Sequence, residues 1–400
     1  MIAAEQALWA SGPPRSLYVH VPFCRQRCHY CDFSVARTDT APTDVWLEAL
    51  RRELRYWFDT GSWNRPVELD TLFVGGGTPS LLDASGMERL AQVLEPWFVR
   101  TGGTEWTAEA NPESVSASLC AAWREAGVTR LSLGVQSFDD AVLAWLGRFH
   151  DSDGARAAIR AAGEAGLDDL NIDLIFGLPK HVMRDWARDV GEATAVQVTH
   201  ISAYGLTAEP RTPLGRNVEQ GRVSMPGQQR YADEYRFMAR ELADRGFVHY
   251  EVSNFARPNY ECRHNWQYWN GGAYLGIGPS AHSYLPPYRV WNEFRWDAYR
   301  MAVRAGLSAR TGLECVEGED LELERTWLSL RTREGLSAGD PAWVGGGERL
   351  LASWIEAGWL ERDGDRIHAT VEGWLRLDEL VTKRMTTTGE EQTDTRHGDA

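Results

Sequence analysis

Three cysteines stand within eight residues: the run VPFCRQRCHYCDF spaces Cys24, Cys28 and Cys31 as C-x3-C-x2-C. Three thiolates on one tight loop suit a soft metal centre. A structural zinc ion wants four ligands, usually two pairs divided by a longer loop. His20 or His29 could serve as a fourth ligand, but no second pair lies nearby. An electron-transfer ferredoxin site wants four cysteines. After Cys31 come Asp32 and Phe33, and the next cysteine is Cys120. Three thiolates holding a [4Fe–4S] cube leave one iron with an open position, where a small molecule can chelate.

Other polar residues fall at the ends of strand-like runs. In VGGGTPS, at 74–80, Gly75, Gly76 and Gly77 let backbone approach a ligand with no side chain in the way. The loop lacks the Lys-Ser/Thr of a phosphate loop, which argues against a nucleoside triphosphate. Glu109 (EANPES), Gln136 (GVQSF) and Asp173 (NIDLIFGLP) each close or occupy such a run, and Arg148 follows Gln136 by twelve residues. Taken singly, each is most simply a hydrogen-bonded structural group. On successive strands around one mouth they make a pocket, in which Asp173 suits ribose hydroxyls and Arg148 a carboxylate.

The elements that must position them alternate. Strand patterns at 17–21, 71–75, 104–110, 129–137, 170–177 and 199–206 are separated by amphipathic helices. The clearest covers 43–58, with Thr43 as cap and Trp46, Leu47, Leu50, Leu54, Trp57 and Phe58 on one face. Six β/α units predict an α/β protein with a parallel sheet, an open partial (β/α)6 TIM-like barrel over 16–215. A short segment, 1–15, precedes it. A helical and irregular extension is expected over 216–310, and a small winged-helix-like α+β domain over 311–386. Within that domain the Asp363-Gly364-Asp365 turn suits a tight hairpin. The polar tail, 387–400, reads as disordered.

Composition excludes some classes. The formal net charge of −15 argues against a nucleic-acid surface. The 18 tryptophans read as core and interface packing. No apolar run approaches the ~18 residues of a membrane span. The opening MIAAEQALWASGPPRS has no basic start followed by an apolar stretch, so no secretory signal is expected there. The expected location is the reducing cytoplasm.

The cysteine spacing resembles the signature of the radical S-adenosylmethionine superfamily, CxxxCxxC on the loop after the first strand. The resemblance implies that Cys24, Cys28 and Cys31 hold the cluster and that S-adenosylmethionine chelates the open iron. An electron from the cluster then cleaves a carbon–sulfur bond to give a 5′-deoxyadenosyl radical. More narrowly, YVHVPFC, GGGTPS, EANPE, GVQSF, LGRFH, IDLIFGLP and HNWQYW resemble the oxygen-independent coproporphyrinogen III oxidase-like family over roughly residues 16–385. By matching positions, Tyr18, Tyr30, Gly76, Gly77, Thr78, Glu109, Gln136, Arg148 and Asp173 would line the S-adenosylmethionine site, with Gly205 a further carry-over.

That family has an oxidase branch and a heme-chaperone branch. The oxidase carries a fourth cysteine two residues after the third and a long N-terminal arm. Here Phe33 takes that place, and seventeen residues precede Tyr18. The chaperone branch looks like VPFCxxxCxYCDF with an HNxxYW motif, matched by His264-Asn265-Trp266-Gln267-Tyr268-Trp269. By residue chemistry alone His264 is a buried loop histidine. The resemblance makes it a heme contact instead, with Tyr268 beside it, Arg263 for a propionate and Cys262 as a nearby thiol. The implied role is a heme chaperone that loads an acceptor hemoprotein, with the respiratory chain the natural class. It leaves room for a peripheral membrane encounter and for a homodimer. The alternative reading is the oxidase.

Overall fold

A computed structural model describes residues 8–10, 12–343 and 347–383. The tail expected over 387–400 lies outside these residues, as does part of the segment 1–15. At the centre run six strands: Ser16–Val21, Val67–Gly76, Phe98–Ala110, Arg130–Gln136, Asp169–Phe176 and His200–Gly205. Each pairs in parallel with the next. Parallel strands need crossovers, and helices supply them. This is the partial barrel that the alternation predicts. Its strands are buried on both faces, one lined by apolar side chains and the other carrying polar groups such as Glu105, Arg130, Asn171 and His200; in Arg130–Gln136 every residue but the last is buried.

The helix Thr43–Gly61 shows how the sequence builds a crossover. Trp46, Leu47, Leu50, Leu54, Trp57 and Phe58 are all buried, as the period of 3.6 requires. Each contributes roughly 1.5–3 kcal/mol by leaving water. The Trp46 indole N–H donates to the His20 carbonyl at 3.1 Å, pinning this helix to the strand that leads into the cysteines. The cap differs from expectation. Pro42 occupies that position, and Thr43 is buried in the first turn with no capping bond.

The region 216–310 is more regular than its composition suggests. Leu275–Ile277 adds a parallel strand beside Ser16–Val21. Asn254–Ala256 pairs antiparallel with the sixth barrel strand, and Val248–Glu251 pairs with Asn254–Ala256. The sheet therefore has nine strands. A separate antiparallel sheet joins His282–Leu285, Tyr288–Asn292 and Arg310–Cys315. The break expected at 311 falls inside that last strand. Strands of three to six residues in a Gly-, Tyr- and Asn-rich run carry no alternation of their own. Pairing with longer neighbours creates them.

The C-terminal unit runs helix Gly318–Leu330, strand Leu336–Ser337, helix Gly347–Glu356 and ribbon Leu360–Asp363 with Arg366–Ala369. This is a winged-helix-like order. Gly364, at φ 56°, makes the ribbon turn. Trp374 donates to the Leu330 carbonyl at 2.9 Å within the unit, and Arg236 donates to Glu372 at 2.9 Å, tying it to helix Gln228–Asp244.

Candidate functional site

The cysteine loop leaves the first barrel strand and is closed by a short parallel pairing of Phe23–Cys24 with Ala36–Arg37. Thr38 N–H donates to the Cys24 carbonyl at 2.9 Å. The far side of the loop is held where Leu214 N–H donates to the His29 carbonyl at 2.9 Å and Arg211 meets Asp32 at 2.6 Å. All three cysteines are free thiols.

The glycine loop is stitched to this strand. Gly77 N–H donates to the Val21 carbonyl and Thr78 N–H to the Phe23 carbonyl, each at 2.7 Å. A Cβ on Gly77 would stand 2.6 Å from the Phe23 carbonyl oxygen, so no side chain fits there. Gly76, at φ 109°, takes a backbone conformation that L side chains rarely adopt.

Cys24, Cys28, Cys31, Tyr30, Gly76, Gly77, Thr78, Glu109, Gln136, Arg148, Asp173 and Gly205 line one cavity of about 600 Å³. That volume falls within the ~300–1,000 Å³ of cofactor sites. It opens at the C-terminal edge of the strands, where parallel α/β folds bind ligands. Arg148 reaches it through local structure. Asp139 caps helix Asp140–Leu146, and Gly147, at φ 73°, ends it. The chain then turns so that Arg148 Nη2 donates to Asn111 Oδ1 at 2.6 Å and to the Gly134 carbonyl at 3.1 Å, with Nη1 3.8 Å from Cys28 Sγ.

Polar contacts around the thiols are continuous. Asn111 Nδ2 donates to Thr78 Oγ1 at 3.2 Å, and Thr78 Oγ1 lies 3.3 Å from Cys24 Sγ. Burial pushes the Cys24 thiol up to about 11, partly offset by that hydroxyl. Gly76 N–H donates to Glu109 Oε2 at 2.9 Å. Burial, then the neighbouring Asp173, pushes the Glu109 carboxyl up to about 8. Burial likewise lifts Asp173 to about 6, against a bond from Asn171 Nδ2 at 2.8 Å. Asn111, the bridge between Thr78 and Arg148, escaped the sequence reading. Its signal was its place directly after Glu109 and Ala110 in EANPE.

Two expected site residues are placed elsewhere. Tyr18 does not line this cavity. Its ring stacks on Phe73 with centroids 6.1 Å apart, and its hydroxyl lies 3.0 Å from His20 Nδ1. His264 is buried, with Nδ1 2.7 Å from Thr71 Oγ1 and Nε2 2.8 Å from the Tyr268 hydroxyl. Both ring nitrogens are engaged, so in this arrangement His264 offers no lone pair to an iron. Burial also pushes its pKa down to about 3. The peptide N–H groups of Arg263 and His264 both donate to Glu105, at 2.9 and 3.0 Å, and Cys262 Sγ lies 3.6 Å from the same carboxylate. Cys262 is fully buried, which removes it as a contact for a bound ligand.

The donor set fits a site-differentiated cluster. Three thiols line the cavity, and none of Cys120, Cys262 and Cys315 does. Among the described residues Arg148 Nε, buried beside the cavity, has no hydrogen-bond partner and is a donor left for a ligand.

Residues 18–192 match the model of the radical SAM superfamily. The chain is 39% identical over 374 residues to the heme chaperone HemW of Mycobacterium tuberculosis, covering 92% of this chain and 94% of that protein. It is 34% identical to the heme chaperone HemW of Bacillus subtilis, covering 81% and 85%. Among solved structures, the coproporphyrinogen III oxidase HemN of Escherichia coli, a radical SAM enzyme, superposes with a TM-score of 0.80 at 24% identity. It covers 96% of this chain and 93% of that one, a likeness of fold. On the length and level of identity to its relatives, the chain belongs to the HemW family of heme chaperones within the radical SAM superfamily.

Proposed function

We propose that this protein carries heme to an acceptor hemoprotein in the cytoplasm, and that it holds a [4Fe–4S] cluster and S-adenosylmethionine in the barrel cavity. The observation that carries the reading is the convergence of three free thiols, a glycine cradle and an unpartnered buried arginine nitrogen on one cavity, in a chain whose relatives are named heme chaperones.

Cys24, Cys28 and Cys31 would hold the cluster, which when bound supplies an electron for cleavage of the S-adenosylmethionine carbon–sulfur bond. The remaining work falls to the chain's own groups. Arg148 offers its free Nε to a carboxylate while Asn111 and the Gly134 carbonyl fix its plane. Gly76 and Gly77 admit the backbone of the loop to the ligand, and Glu109 and Thr78 stand on either side of it. Burial favours the protonated form of Glu109 near neutral pH. A cationic amino or sulfonium group beside it would release that proton and leave a carboxylate to pair with. Asp173 faces the same cavity and suits ribose hydroxyls. A respiratory-chain acceptor would be met at the membrane surface. Among the described residues no helix is long and apolar enough to cross a membrane.

One set of anaerobic assays on the reconstituted full-length protein tests this: 5′-deoxyadenosine release under strong reductant, hemin uptake, and coproporphyrinogen III turnover. The expected result is one cluster and one hemin per chain with no coproporphyrinogen turnover. Conversion of coproporphyrinogen at enzymatic rates, or failure to take up hemin, overturns it.

A further inference from the structure

A second cavity, of about 660 Å³, adjoins the first and shares Asp32 and Phe33 with it. Phe33, Tyr268, Tyr274 and Trp291 line it, together with the carboxylates of Asp32 and Glu293. Phe33 is 60% exposed and stands between the two cavities. Arg211 stands at this cavity with its side chain 71% exposed, held at Asp32.

Two histidines line this space, His20 and His282. His20 has both nitrogens engaged, with the Tyr18 hydroxyl and the Ser34 carbonyl each at 3.0 Å. His282 opens the strand His282–Leu285 with an exposed side chain. It sits directly across the antiparallel pair from Trp291, and the two rings stack with centroids 5.9 Å apart at 25°. Among the described residues neither of its ring nitrogens has a hydrogen-bond partner.

We propose that this second cavity is the heme seat and that His282 is the axial ligand to the iron. The porphyrin then lies among Trp291, Tyr274 and Phe33, and Arg211 meets a propionate at the rim. The proposal deepens the heme-carrier reading and rests on it. It also gives the HNxxYW motif a physical task. Tyr268 forms part of the cavity wall, and His264, through its 2.8 Å bond to the Tyr268 hydroxyl, is a positioning residue.

The test is an anaerobic hemin titration of the reconstituted full-length protein, followed by absorption and electron paramagnetic resonance. Wild type, His282→Ala, His282→Gln and His264→Ala are compared. His282→Ala should lose the nitrogen-ligated spectrum and bind hemin at least 10-fold more weakly, and added imidazole should restore the spectrum. His282→Gln should fail in the same way despite its similar size. His264→Ala should bind more weakly while keeping the wild-type spectrum. Cluster content and unfolding midpoint serve as folding controls, and an exposed strand-end substitution should leave both unchanged. A wild-type spectrum in both His282 variants overturns the assignment, as does imidazole rescue confined to His264→Ala. A wild-type protein that takes up no hemin defeats the carrier reading itself.

Discussion

The Nε2 atom of His264 lies 2.8 Å from the hydroxyl of Tyr268, one helical turn further along the same helix, Arg263–Trp269. The other ring nitrogen meets Thr71 on the second barrel strand at 2.7 Å. The histidine that the resemblance offers as a heme contact is thus, in the fold, a fastening between that helix and the barrel.

Replacing any one of Cys24, Cys28 or Cys31 by Ala should remove the cluster, since two thiolates do not hold a cube firmly. Iron and acid-labile sulfide in anaerobically reconstituted protein should fall to background in each variant. Full retention in all three would show that the ligands lie elsewhere.

Gly77→Ala should disturb the cluster without touching a thiol. The new Cβ would stand 2.6 Å from the Phe23 carbonyl oxygen and 2.8 Å from that of Val21, both rigid backbone. Overpacking of this kind costs about 1–3 kcal/mol. The expected outcome is a lower unfolding midpoint and faster loss of cluster absorbance in air. A stability equal to wild type would show that the loop yields freely.

Arg148→Lys keeps the charge but loses the planar grip on Asn111 and the Gly134 carbonyl. Hydrogen bonds to charged groups contribute about 1.5–3 kcal/mol. S-adenosylmethionine affinity, read by equilibrium dialysis on the cluster-loaded protein, should weaken roughly 10- to 100-fold at that magnitude. An unchanged affinity would place the carboxylate elsewhere.

Glu53 predicts a pH effect. It is fully buried and accepts from Tyr299 at 2.5 Å, Asn292 at 2.6 Å and the Gly278 N–H at 2.8 Å. Burial nonetheless lifts its pKa from 4.5 to about 7. The folded state therefore binds this proton more tightly than the unfolded chain. Its contribution to stability is full below about pH 4.5 and declines as pH rises toward 7. Glu53→Gln carries no such proton. Relative to wild type, the variant should gain stability steadily between pH 4.5 and 7, by about 1.4 kcal/mol for each step of one in pH. Urea denaturation at several pH values gives the difference. A flat difference would mean that Glu53 is ionised in the folded protein throughout.

The barrel and its mouth were legible because each rests on local pattern. Helix Thr43–Gly61 shows its buried face in six apolar residues, and the cysteine spacing names its own chemistry. Glu109, Gln136, Arg148 and Asp173 could be gathered from separate strands because parallel strands deliver their ends to one edge. Other features depend on contacts between residues far apart in the chain. Leu275–Ile277 becomes a strand only against Ser16–Val21. Tyr18 turns from the main cavity because His20 and Phe73 hold it, and His264 is occupied because Thr71 stands opposite. His282 escaped notice for the same reason. It gains an aromatic partner only when Tyr288–Asn292 folds back and sets Trp291 across from it.

The pairing of Phe23–Cys24 with Ala36–Arg37 ties the two ends of the cysteine loop together through the main chain. Many small metal domains order their ligands only as the ion binds, so that assembly and folding are one event. Here the two ends of the loop are fastened by backbone bonds that involve no sulfur, as where Thr38 N–H donates to the Cys24 carbonyl. The closure of the loop therefore belongs to the protein's own backbone, and stripping iron and sulfide with a chelator should leave the unfolding transition of the barrel in place.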